Sequence, residues 1–307
     1  MLPRILYIAG YGRSGSTVLG TLLGAHPQVT HIGEAAFLPD DRRSPNRVCS
    51  CGARYDRCPF WAEACTGDAE REGRIARRVE RFAALPGLLL GLVPRRTREA
   101  YASDQRRLFG HAAATAGTPI VVDSSKSAWA TAGRALALGR LAGFEVFVLH
   151  LVRDGRATFD SLVKTGSNWE LEKHIGARRA VAFRAAVGWT VSNLCVSALR
   201  PAYGPGRYLR LRYEDLVADP EGSLRQIGEF IGIDPEPLVA RVARGDTFDV
   251  GHVVGGNRVR FQGMIALQRP NPPRPAPGTR SPRRLAFAIV GAWLNRRYGY
   301  HQPGPID

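Results

Sequence analysis

The sequence predicts an α/β fold, a three-layer sandwich with a central parallel sheet flanked by helices. Short apolar runs of strand length alternate with longer segments of helical period, which is the pattern of repeated βα units. The first run, Ile5-Leu6-Tyr7-Ile8-Ala9, passes directly into a glycine loop and a helix start, YIAGYGRSGSTVLGTL over residues 7–22. The longest run, Phe144 to Leu151, is almost continuously apolar, as a strand covered on both faces should be.

Taken in order, Ser16-Thr17 opens the first helix, and Val18, Leu19, Leu22 and Leu23 give it an apolar stripe. Val29-Thr30-His31 reads as a short strand feeding Gly33-Glu34, and residues 35–66 as an irregular insertion carrying arginines and cysteines. Helices are predicted over Ala69–Leu85 and Arg95–Ala116, with Pro86–Pro94 between them. Pro119-Ile120-Val121-Val122 is a buried strand ending in Asp123-Ser124-Ser125-Lys126, and a helix over Ala128–Leu141 leads into the strand at Phe144. Further helices begin near Arg156 and run from about Ala177 to Leu199. Tyr208–Leu211 is the next strand, followed by a helix over Glu221–Ile231. Residues 269–284 (RPNPPRPAPGTRSPRR) form a proline-rich linker or flap before a last helix over Leu285–Leu294. There is no internal repeat, and 1–307 reads as one domain.

The chain has 307 residues, 44% of them hydrophobic, enough for a sizeable core. Its net charge of +16 is almost wholly arginine, the only lysines being Lys126, Lys164 and Lys173. That excess reads equally well as background composition or as an adaptation to anionic ligands, acidic acceptors or a membrane surface. Nucleic acid is not an expected partner, because no basic run is interleaved with aromatics and no nucleic-acid-binding signature occurs. No signal peptide precedes the first strand and no apolar run approaches ~20 residues, so a cytoplasmic protein without a transmembrane segment is expected. The last helix, flanked by Arg283, Arg284, Arg296 and Arg297, is expected to close the core, with peripheral membrane contact as the alternative. Cys49, Cys51, Cys58 and Cys65 follow C-x-C-x6-C-x6-C, which lacks the paired knuckles of common zinc modules. They are expected to be free or redox-labile thiols rather than zinc ligands or disulfides, and Cys195 to be core.

A strand, a glycine loop and a helix N-terminus together present backbone N–H groups and a positive dipole end to an anion. Gly10 and Gly15 fit the glycine spacing of the nucleotide loop G-x-x-x-x-G-K-[ST], but Ser16 stands where the lysine should be. The loop is P-loop-like without the clamp that an NTPase needs. A second anion site follows the longest strand, where Arg153 ends the strand and Ser161 comes eight residues later. Asp154 with Arg156 offers a plain surface ion pair as the competing reading of that segment.

On these residues the chain resembles the sulfotransferases that use 3′-phosphoadenosine 5′-phosphosulfate (PAPS), as a bacterial-type member. Arg13-Ser14-Gly15-Ser16-Thr17 matches the family's first loop, Arg153 and Ser161 match its second pair, and RYEDL (212–216) and GGNRVRF (255–261) look like family segments. Arginine at position 13 resembles the tyrosylprotein and carbohydrate-modifying branches, since cytosolic small-molecule enzymes carry lysine there. The resemblance implies that Gly12, Arg13, Ser14, Gly15, Ser16 and Thr17 hold the 5′-phosphosulfate. It implies that Arg153 and Ser161 hold the 3′-phosphate, and that Asn257, Arg258 and Arg260 close over that side. It further implies PAPS as sulfuryl donor, 3′-phosphoadenosine 5′-phosphate (PAP) as product, and no metal requirement. Glu34 is the expected general base, in a G-E setting beside Ile32, Phe37 and Leu38, with His31 as the rival. Arg13 would stabilise the leaving phosphate. Relatives often read D-K-S-P where this chain has Asp123-Ser124-Ser125-Lys126; Lys126 would reach the sulfuryl oxygens, and Ser125 would orient a phosphate or cap a helix.

A small-molecule, glycan or glycolipid acceptor is expected, in a pocket walled by residues 35–66, the Pro86 region and 165–174. Phe60, Trp61 and Trp169 are candidates for stacking on it or for local core. Two other classes compete: a P-loop nucleotide kinase or NTPase, and a noncatalytic nucleotide- or polyanion-binding module.

Overall fold

A computed structural model describes residues 1–158, 161, 178–267 and 287–300. The proline-rich segment at 269–284, the stretch 165–174 and Trp169 lie outside the described residues.

Five parallel strands form the central sheet: β1 (Arg4–Ala9), β2 (Val29–Gly33), β3 (Ile120–Asp123), β4 (Val146–Val152) and β5 (Tyr208–Arg212), in the order β2-β3-β1-β4-β5. β1 pairs with β3 from Arg4↔Ile120 to Tyr7↔Asp123, and with β4 from Ile5↔Val146 to Ala9↔His150. Its alternate side chains enter two different cores, which explains the unbroken apolar run. Ile5, Tyr7 and Ala9 face one, with Tyr101, Phe109 and Leu138; Leu6 and Ile8 face the other, with Leu19, Leu23 and Ile227. The chain leaves β1 toward β2 on one side, and after β3 crosses to β4 on the other. The carboxyl ends of β1 and β4 therefore flank a topological switch point, where ligand crevices of such sheets lie.

The helices are α1 (Ser16–Gly24), α2 (Leu38–Arg43), α3 (Ala69–Glu80), α4 (Leu85–Leu89), α5 (Arg95–Ala116), α6 (Arg134–Arg140), α7 (Arg178–Ala198), α8 (Arg200–Tyr203), α9 (Tyr213–Ala218), α10 (Pro220–Ile231), α11 (Glu236–Ala243) and α12 (Ala292–Arg297). A small antiparallel ribbon, β6 (Thr247–Asp249) with β7 (Met264–Ala266), stands apart from the main sheet.

Three sequence expectations need correction. The helix predicted over Ala69–Leu85 ends at Glu80, because Arg81 is extended. The helix predicted from Ala128 begins only at Arg134. Upstream, Tyr7 Oη donates to the Lys126 carbonyl, and Ser127 N–H donates to Gly10 O at 2.9 Å, so the chain after β3 is bolted to β1 and cannot wind. The last helix does not stop at Leu294: residues 287–290 are helical, a turn falls at Gly291, and α12 runs on to Arg297. Phe287 and Leu294 pack with Tyr11, Val152 and Trp189, as a closing core helix should, while Ile289 and Trp293 face outward.

The buried centre of the interface between β3, α3, α5 and α6 is polar. Arg134, 1% exposed, donates from Nε to Asp123 Oδ2 at 2.8 Å and pairs with Glu80, which accepts from Tyr101 Oη at 2.8 Å. Asp123 Oδ1 in turn accepts from Ser125 N–H at 2.9 Å, so this knot sets the loop that carries Lys126.

Candidate active site

The loop after β1 makes its turn with Gly10 (φ 130°) and Gly15 (φ 90°). Gly15 is the N-cap of α1, and among the described residues no side chain caps that helix start, which leaves the first-turn N–H groups open to a ligand in the cavity that Ser16 and Thr17 line. A side chain at Gly15 would collide with the Tyr213 ring, whose carbons lie 2.3 Å from an ideal Cβ there. Tyr213 also lies under Arg153, with the guanidinium carbon 4.7 Å from the ring centroid.

Around this loop opens a cavity of about 610 Å3. Among the described residues, Arg13, Lys126, Arg153, Arg258 and Arg47 line it, against two carboxylates, Glu34 and Asp41. The cavity is thus built for an anion. Burial and the neighbouring Arg258 both push the Arg13 pKa down from its ordinary value, but a guanidinium stays charged in a protein. Arg153 donates from Nη1 to the Arg13 carbonyl at 2.9 Å, while its Nε is buried with no hydrogen-bond partner among the described residues. An anion at this point would satisfy that donor.

Glu34 sits at the end of β2, where its N–H donates to Val254 O at 2.6 Å. Lys126 Nζ pairs with Glu34 Oε1, and Gly255 and Gly256 pack beside the carboxylate. Arg13 and Lys126 are the non-glycine residues with left-handed backbones among those described, at φ 68° and 66°. The two cations are held in a conformation that side chains ordinarily avoid.

A model of the sulfotransferase family matches residues 96–237. That part of the chain is similar to the sulfotransferase family. Two solved structures share its fold over nearly the full length. The sulfotransferase domain of the Synechococcus PCC 7002 olefin synthase is 19% identical with a TM-score of 0.55, over 98% of this chain and 96% of that one. The sulfotransferase domain of the curacin biosynthetic pathway is 19% identical with a TM-score of 0.53, over 100% and 94%. No curated protein matches the chain.

In this chain, Gly12, Arg13, Gly15, Ser16, Thr17, Glu34, Lys126, Arg153, Ser161, Asn257 and Arg258 all line one cavity. Ser14 does not: it is buried, and its hydroxyl donates to Tyr11 O at 2.7 Å, closing the loop from behind. Arg260 is also turned away, 5% exposed, with Nη1 reaching toward Val253 O at 3.4 Å. Between the two arginines of the GGNRVRF segment, Arg258 faces the cavity. His31 is buried against Ser124, with Nε2 3.1 Å from its hydroxyl, and does not line the cavity. Burial, aided by Lys126, pushes its pKa down to about 3. Ser125 accepts from Ala36 N–H at 3.0 Å, tying the chain just after Glu34 to the Lys126 loop. Asp154 is ion-paired with Arg156 at 2.6 Å, the plain reading of that pair.

Of the expected acceptor walls, the insertion contributes Phe37, Asp41 and Arg47, whereas the Pro86 region contributes nothing among the described residues. Trp61 and Phe60 are local core: Trp61 is fully buried and Phe60 stacks on His252 with ring centroids 5.6 Å apart. Sequence reasoning missed Tyr213 and Asp41. Tyr213 lies within the RYEDL segment, whose aromatic after an arginine was the available signal. Asp41 gave none.

Proposed function

We propose that this protein transfers the sulfuryl group of PAPS to an acceptor hydroxyl on a small molecule, glycan or glycolipid, releasing PAP, within the cytoplasm and as a single catalytic unit. One observation carries the reading: the N-terminus of α1, with no side-chain cap among the described residues, and Arg153, whose buried Nε has no hydrogen-bond partner among them, lie at the same cavity as Glu34. The donor set fits a nucleotide with two separate phosphate positions, one at each of the neighbouring strand ends β1 and β4. Gly15, Ser16 and Thr17 would take the 5′-phosphosulfate, and Arg153 with Ser161 the 3′-phosphate.

When bound, the donor supplies a sulfuryl group and a phosphate leaving group. Glu34 takes the proton of the acceptor hydroxyl as its oxygen bonds to sulfur. Arg13 and the loop N–H groups receive the charge that passes to the phosphate oxygen as the S–O bond breaks. Lys126, next to Glu34, donates to the sulfuryl oxygens and fixes the carboxylate in line. Ser16, standing where an NTPase has lysine, argues against the kinase reading.

The test is a ligand titration followed by turnover. PAP should raise the melting temperature without magnesium, and ATP with magnesium should do little. Equal stabilisation by the two would sink the proposal. Glu34→Gln should abolish transfer from labelled PAPS while PAP affinity stays within about twofold of the parent.

A further inference from the structure

Away from the cavity, the insertion gathers a set of side chains that the proposed reaction does not use. Cys49, Cys51, Cys58 and His252 bring three sulfurs and one ring nitrogen within 4.8 Å of one another. Cys58 Sγ is 3.3 Å and Cys49 Sγ 3.8 Å from His252 Nδ1, and Cys51 Sγ is 3.7 Å from Cys58 Sγ. A tetrahedral zinc with bonds of about 2.3 Å to sulfur and about 2.0 Å to nitrogen requires S···S near 3.8 Å and S···N near 3.5 Å. The three separations just given match these values closely, and the remaining pairs lie within 4.8 Å. Bonded sulfurs would lie about 2.0 Å apart, so this is not disulfide spacing.

We infer that Cys49, Cys51, Cys58 and His252 form a closed, structural zinc site. Three thiolates and a neutral imidazole are the ligand chemistry of such sites, and four protein ligands leave no open position for catalysis. The three thiols lose their protons to solvent on binding, and Nε2 of His252 keeps the ring proton. Cys65, the fourth cysteine of the sequence cluster, is not a member. The fourth ligand comes instead from a residue 194 positions after Cys58.

The surroundings hold the histidine for this task. Phe60 stacks on its ring with planes 6° apart, and Trp61 Nε1 donates to its carbonyl at 3.0 Å. Ser50, between two of the cysteines, donates from Oγ to Gly251 O at 2.5 Å and accepts from Val253 N–H at 2.8 Å. The metal would therefore staple the insertion to the segment 251–254, which pairs with the end of β2 and continues into Gly255–Arg258 at the cavity. The inference stands whether or not the cavity transfers a sulfuryl group.

The test is metal analysis of the full chain expressed with zinc in the medium and purified without chelator. About one zinc per chain is expected. Cobalt loaded in its place should give the strong visible bands of a tetrahedral thiolate site, and removal by a chelator should lower the melting temperature. Cys58→Ser and His252→Ala should lose the zinc, whereas Cys65→Ser should keep it. If the first two do not fold, the wild-type cobalt spectrum and the Cys65→Ser stoichiometry decide alone. Metal-free wild type, iron in place of zinc, a Cys51–Cys58 disulfide by mass spectrometry, or zinc loss in Cys65→Ser would each overturn the inference.

Discussion

Arg153 Nη1 donates to the carbonyl oxygen of Arg13 at 2.9 Å, so the cation after β4 fixes the backbone that carries the cation after β1. The two proposed phosphate sites, separate in sequence, would thus be one mechanical unit. Arg153→Lys should weaken PAP binding by about 30-fold, or ~2 kcal/mol, because an ammonium cannot serve both the carbonyl and a phosphate. Tyr213→Ala, which removes the ring under that guanidinium, should cost about fivefold, or ~1 kcal/mol. Calorimetric titration with PAP reads both, and an unchanged affinity in Arg153→Lys would contradict the assignment.

On the proposed reaction, Lys126 would serve turnover rather than nucleotide retention, since it pairs with Glu34. Lys126→Met is expected to lower kcat by about a hundredfold with PAP affinity little changed. A loss confined to donor affinity would return Lys126 to a binding role.

The Arg134 knot predicts a large stability effect outside the cavity. Arg134→Met leaves the buried carboxyls of Asp123 and Glu80 uncompensated and should destabilise the fold by about 3–5 kcal/mol in urea unfolding. A loss below about 1 kcal/mol would mean that the network relaxes at little cost.

Much of the fold was legible because local signals agreed with it. The helix predicted over Arg95–Ala116 is the helix observed, since Pro94 stands at its start and Gly117, at φ 65°, ends it. Strands covered on both faces announced themselves as apolar runs. What could not be read depends on partners distant in sequence. The segment 128–133 has helical composition, yet the bonds of Tyr7 and Gly10 to Lys126 and Ser127 cross more than a hundred residues. Ser14 and Arg260 stand in the right motifs, and only packing decides that they turn away from the cavity. His252 lies too far from the cysteine run for any spacing rule to join them.

Acid should weaken the protein between about pH 6.5 and pH 4. Burial holds His31 and His150 neutral, with pKa values of about 3 and about 4 against an ordinary 6.5. Each contributes stability that is complete above about pH 6.5 and is lost as the pH falls toward its folded value. Asp41, raised from 3.8 to about 6 chiefly by burial, acts oppositely: its contribution is present at low pH and lost as pH rises through about 6. Glu80, also raised chiefly by burial, acts as Asp41 does; two carboxyls thus oppose the two histidines, and the net fall is what the histidines' wider windows leave over. Urea midpoints from pH 7 to pH 4.5 should fall, and His31→Asn should flatten the decline. A flat parental profile would contradict it.

The left-handed backbones of Arg13 and Lys126 carry a consequence for anyone engineering this chain. At φ near +67° glycine is the residue a backbone accepts without penalty, and any other residue there costs about 1 kcal/mol or more. A selection that rewards only heat resistance would drift toward glycine at both places and discharge the cavity as it went. Robustness and chemistry pull this sequence in opposite directions at the same two positions.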